Sequence, residues 1–185
     1  GRLHLGPFET TGSRGGVLQG EVLLEPRGES YEFVSSLTLN NGLVDLTTGT
    51  AAAAGNHTRA ASRINIRTRG GSLRELTDTA SGGVILSLEG GAMNATLLDF
   101  IGADLVFKLL TTLYPFSPDP LATVGLECAV VVATIQDGVA VIQPMAVKSE
   151  SVTILGRGAI DLKTEEIGLE WVTKPRKGFG ISASS

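Results

Sequence analysis

The sequence predicts a mainly β protein, an antiparallel meander with one amphipathic helix around residues 94–114. Three observations lead there. Glycine is abundant, at 24 of 185 residues, while charged residues make up only 18%, a balance suited to many short strands joined by tight turns. Apolar and polar residues alternate with a period of two in several separate stretches. Only one stretch repeats its apolar residues at helical spacing.

The first 80 residues read as a β-meander. Val17 to Glu25 is a strand. Tyr31, Phe33, Ser35, Leu37 and Leu39 form one face of the next, and Asn41-Gly42 then signals a two-residue hairpin, with Leu43 to Leu46 as the returning strand. Ala51 to Gly55 is small and featureless. Arg63 to Arg67 alternates again, up to Gly70-Gly71. Leu73 to Asp78 suits one helical turn, and Gly83 to Glu89 a strand with Val84, Leu86 and Leu88 on one face, ended by Gly90-Gly91.

The helix is expected from Asn94 to about Tyr114. Asn94 suits an N-cap, and Leu98, Ile101, Leu105, Leu109 and Thr112 form a stripe. Pro115, Pro118 and Pro120 stop it. The remainder is a second meander. Val124 to Ile135 is apolar on both faces and so should be covered on both sides, the helix stripe being the obvious cover. Gln136-Asp137-Gly138 turns the chain, and Val139 to Pro144 returns. Val152, Ile154, Gly156, Gly158, Ile160 and Leu162 share one face, which Ile167, Leu169 and Trp171 continue after a Lys163-Thr164-Glu165 turn. Arg157, Asp161, Glu166 and Glu170 face the other way, giving a sheet with one oily and one wet side.

The census of chemical motifs is nearly empty. The net charge is −4 and aromatic residues make up 5%, which argues against a nucleic-acid binder. His4 and His57 lie apart from any carboxylate pair or cysteine, so no metal site and no cofactor are expected. Gly156-Arg157-Gly158 opens a strand rather than a helix, so a close backbone approach suits it better than a phosphate loop. Cys128, the only cysteine, reads as a small buried hydrophobe rather than a reactive thiol. No G-x-S-x-G elbow is present, and no catalytic residue is assigned. Two basic features stand out: Arg59, Arg63, Arg67, Arg69 and Arg74, and Lys174-Pro175-Arg176-Lys177. Edge protection is their first reading, and attraction to anionic head groups the second. Gly1 to Gly20 has no apolar signal region, no run reaches the roughly 18 apolar residues of a membrane helix, and the start at Gly1 reads as a cut inside a longer protein.

From about Gly82 to Gly178 the chain resembles the C-terminal region of the AsmA family. Gly83 to Gly91, followed by Gly102-Ala103-Asp104-Leu105, is similar to that family's strand, turn and helix. Leu126-Glu127-Cys128 through Gln136-Asp137-Gly138-Val139 is similar to its hairpin, Val152 to Glu165 to its glycine-punctuated run, and Lys174-Pro175-Arg176 to its closing segment. The resemblance implies an open, curved, taco-like β-groove. Residues 81–185 would be the AsmA-like C-terminal region, and residues 1–80 would continue the same groove.

The function implied is that of a non-catalytic segment of an envelope protein related to TamB and the bridge-like lipid transfer proteins. Such a protein serves lipid transport and outer-membrane biogenesis in the periplasm, anchored to the inner membrane by a helix absent from this chain. The partners would be phospholipid acyl chains, each sheltered methylene contributing about 0.8 kcal/mol. Val152, Ile154, Ile160, Leu162, Ile167, Leu169 and Trp171 are the candidate groove residues. The alternative is a structural or docking module that pairs its sheet edge with an envelope partner at the outer membrane.

Overall fold

A computed structural model describes residues 1–13, 15–46, 57–94, 123–150 and 152–176. In chain order its elements are β1 (Leu3–Thr11), β2 (Val17–Arg27), β3 (Ser30–Val44), β4 (Thr58–Gly70), α1 (Leu73–Asp78), β5 (Ser81–Glu89), β6 (Ala92–Asn94), β7 (Thr123–Gln136), β8 (Val139–Ser149), β9 (Val152–Asp161) and β10 (Glu166–Pro175). The ten strands form one antiparallel sheet in the order β1-β2-β3-β4-β5-β7-β8-β9-β10, with short β6 also paired to β7. The sheet is not closed into a barrel, and one sheet runs through residues 80–81 because β4 pairs with β5.

The turns follow from local chemistry. At Asp137-Gly138 both residues take positive φ, 47° and 77°, the conformation that matches a two-residue hairpin to the twist of its strands. α1 is the single helical turn expected at 73–78; the Ser72 side chain accepts a hydrogen bond from the Glu75 amide and caps it. Thr79 ties α1 back to β4 through its bond to the Arg69 carbonyl at 2.7 Å.

Three expectations are corrected. Asn41-Gly42 is not a hairpin. β3 runs through it to Val44, and the positive φ of Asn41, 51°, serves a bulge where the register against β4 slips between Leu39 and Gly42. Likewise β8 does not stop at Pro144, which sits in a bulge between Ile142 and Met145, where its missing N–H is tolerated. Cys128 is exposed, because a bulge between Leu126 and Cys128 absorbs Glu127 and turns the thiol away from the face that buries Leu126. β1 and β6 have no counterpart in the sequence reading. The expected helix lies outside the described residues after Asn94, which here ends β6 opposite Thr123; so do Ala51 to Gly55 and Lys177.

Burial is concentrated at one end of the sheet. Met93, Leu126, Val147 and Ile154 form a core cluster, with Leu46, Leu88 and Trp171 packed against it. Elsewhere the large apolar side chains are half-buried or exposed and only alanines such as Ala60 and Ala140 are buried: Ile167 keeps 66% of its surface and Leu3 61%. Ile154→Ala is therefore expected to cost about 2–4 kcal/mol, and Ile167→Ala less than about 1 kcal/mol. Urea unfolding of the two variants checks this; equal losses would mean that the face is uniformly covered.

Candidate functional site

Directly paired residues of an antiparallel sheet project to the same face, so the register assembles the site. One row crosses all nine strands of the main path: Phe8, Gly20, Leu37, Ile64, Val84, Ala133, Ile142, Gly158 and Leu169. Every member is apolar or glycine. The row on one side runs from Leu5 through Ile66 and Ile135 to Ile160 and Ile167, with Ser35 as its only hydroxyl. The row on the other side runs from Thr10 through Leu39, Leu86 and Met145 to Trp171, with Ser62 as its second hydroxyl. At about 4.8 Å per strand these rows span roughly 38 Å. The result is one continuous apolar face.

The opposite face is mixed: over β7–β10 it carries Val130, Val132, Val141, Leu155 and Val172, and elsewhere it carries most of the ion pairs. Arg157 bonds Glu170 at 2.9 Å, His4 bonds Glu21 at 2.6 Å, and Arg27 bridges Glu25 and Glu32 at 2.7 and 3.1 Å. Near the core cluster Glu127 is held between Lys148, at 2.7 Å, and Arg176. Arg176 also donates to the Ser149 carbonyl at 2.7 Å, pinning the chain after β10 to the β8–β9 turn. These bonds, Lys148 first and Arg176 second, hold the Glu127 carboxyl below the usual carboxylate range.

Of the seven candidate groove residues, six lie on the apolar face: Val152, Ile154, Ile160, Ile167, Leu169 and Trp171. They do not play equal parts. Ile154 is 2% exposed and belongs to the core cluster, with Val152 and Trp171 beside it. Ile160, Ile167 and Leu169 lie along the open part. Leu162 is corrected: β9 ends at Asp161, and Leu162 opens the turn, its amide donating to the Gly138 carbonyl at 2.9 Å. Asp161 caps that turn by accepting from the Lys163 amide at 2.8 Å, which ends the strand one residue before the alternation does.

The glycines of β9 make room on this face. A Cβ on Gly156 would meet the Met145 methyl at 2.4 Å, and one on Gly158 would meet the Gly168 carbonyl at 2.3 Å and Leu169 at 2.5 Å. Larger neighbours thus fold across β9, and Gly156-Arg157-Gly158 is a close-approach site. Leu5, Phe8, Leu24, Ile142 and other members of the face in β1–β8 were not among the candidates. Their alternation is visible in the sequence, but the register that joins it to β9 and β10 is not.

Among the described residues no three His, Cys, Asp or Glu side chains come together as a metal-holding group, and no helix is long and apolar enough to cross a membrane. Comparisons with family models, curated proteins and solved structures find no match to this chain.

The Glu127 clasp gives a signed pH expectation. A carboxyl whose folded-state pKa is depressed contributes fully above its unfolded value and loses that contribution as pH falls through the folded value. Glu127→Gln should lower the melting temperature modestly at neutral pH, since the groups are exposed, and the difference should vanish in acid. Melts followed by circular dichroism at both pH values check it.

Proposed function

We propose that the apolar face is a groove for phospholipid acyl chains, in a non-catalytic, AsmA-like segment of an envelope protein serving lipid transport and outer-membrane biogenesis. The observation that carries this reading is the set of three apolar rows crossing nine strands with only three hydroxyls among them. An acyl chain has no polar group to satisfy, so a surface that offers area without donors or acceptors suits it. Contact by area stabilises at about 0.8 kcal/mol per methylene removed from water and tolerates many head groups. The residues expected to touch lipid are Ile160, Ile167 and Leu169 along the open part, with Leu5, Phe8 and Leu86 on the same face. Val152, Ile154 and Trp171 form the closed end against which a chain would stop. The resemblance of residues 82–178 to the AsmA C-terminal region supports a periplasmic setting, in a protein anchored to the inner membrane.

The second reading is a docking module, favoured by one observation: β1 and β10 end the sheet order and do not pair with each other. A partner strand could add to either edge.

A photo-crosslinking residue at Leu169, compared with one at Val172, separates the readings. Val172 is 61% exposed but points to the face opposite the three rows. Lipid adducts are expected at Leu169 and not at Val172. Leu169→Asp, with an intact sheet by circular dichroism, should remove lipid that copurifies with the parent, because the carboxylate is costly to desolvate. Protein adducts alone at Leu169 in a folded variant would favour the docking module.

A further inference from the structure

We propose that Arg59, Arg63 and Arg67 on the wet face of β4 dock an extended acidic segment of a partner protein, with carboxylates recurring at every fourth residue.

Edge protection fails as an explanation of these arginines. β4 lies inside the sheet, hydrogen-bonded to β3 on one side and β5 on the other. All three side chains are exposed and share the face opposite the apolar rows. Among the described residues none of them takes part in an ion pair, although Arg27, Arg157 and Arg176 all do. The neighbours explain why. Arg63 sits between Thr38 and Ile85, and Arg67 between Val34 and Ser81; only Arg59 has an acid directly opposite, Glu89, and the two form no ion pair. Glu32, further along, is already bonded to Arg27.

Glu89 is the one carboxylate directly opposite any of the three, and Arg63 and Arg67 have none across the sheet that would offset their charge. An external anion would. Its shape follows from the spacing: residues four apart on a strand stand about 13 Å apart, so the row is about 27 Å long. An extended polypeptide has the same rise, and its side chains at i, i+4 and i+8 share a face, so its carboxylates meet the three guanidinium groups in register. Each guanidinium can hold a carboxylate by two parallel hydrogen bonds. Exposed Ile85 beside Arg63 offers an apolar contact between the charges.

A bilayer fits less well. A plane laid on this face would also meet Glu21, Glu89 and Glu170, which are exposed on it, whereas a narrow chain lying along β4 passes only Glu89, beside Arg59 at one end of the row. A nucleic acid would want stacking aromatics, and the cross-strand neighbours of these arginines include none. The inference concerns the face opposite the groove and stands or falls independently of what the groove holds.

The test is fluorescence anisotropy of the whole chain with a labelled peptide carrying Glu at i, i+4 and i+8 in a Thr-rich background. Binding is expected, and Arg63→Glu with Arg67→Glu should weaken it by at least about tenfold. Arg63→Gln with Arg67→Gln, which removes the charges without reversing them, should weaken it in the same direction. Arg157→Gln should leave it unchanged. Equal binding of a peptide with the same composition but Glu at i, i+3 and i+6 would overturn the proposal. So would failure to bind the first peptide while phosphatidylglycerol vesicles or single-stranded DNA bind through the same arginines.

Discussion

One residue inserted into a strand reverses the face of every side chain beyond it. β1, β3, β7 and β8 all contain such insertions, near Gly6-Pro7, Asn40-Asn41, Glu127 and Gln143-Pro144. Each is absorbed by a bulge that leaves the extra residue unpaired, so the ladder resumes in phase. The apolar rows depend on this. Without the slip at Ile142 and Met145, the far half of β8 would turn Met145 and Val147 outward and bring Lys148 onto the oily face. The core cluster, which needs Val147 beside Ile154 and Leu126, would go with it.

The two faces then divide the work of holding the sheet. On the apolar side, large side chains are fully packed only at one end of the strands, around Ile154 and Leu126. Along the rest of that side, cohesion comes from the backbone ladders and from side chains laid over glycines, as Leu37 and Phe8 lie over Gly20 and Leu169 over Gly158. On the opposite side, the His4–Glu21 hydrogen bond joins β1 to β2, and ion pairs join β2 to β3 and β9 to β10. The Glu127–Arg176 pair instead links the chain after β10 back to β7, passing the β8–β9 turn on the way. Exposed pairs of this kind contribute little each, so they set alignment more than stability.

Much of the architecture was legible because alternation is written into short windows. Tyr31 to Leu39, Arg63 to Arg67, Val84 to Leu88 and Ile167 to Trp171 each show which residues share a face. Two things were not legible. One was the bulges, since Asn41-Gly42 has the same residues whether it turns a hairpin or absorbs an insertion, and the choice rests on pairing with Ala60 and Ser62, some twenty residues away in sequence. The other was the breadth of the site. The apolar stretches of β2–β5 and of β9–β10 read as two separate alternations, and only the ladder through β7 and β8 shows them to be the same surface. Leu162 went astray for a local reason: its alternation continues, but the Asp161 carboxylate bonding two following amides ends the strand first.

The order of the strands has a consequence for size. Along the main path every strand pairs with its neighbour in the chain except at β5 and β7, where short β6 intervenes. No strand must be threaded between two others already in place. A hairpin inserted at any turn would widen the sheet by about 10 Å and keep the phase of everything after it, because two strands restore the direction of the chain. The breadth of the oily surface is thus a quantity that duplication or deletion can adjust in fixed increments, much as repeat proteins change length, with no redesign of the remaining strands.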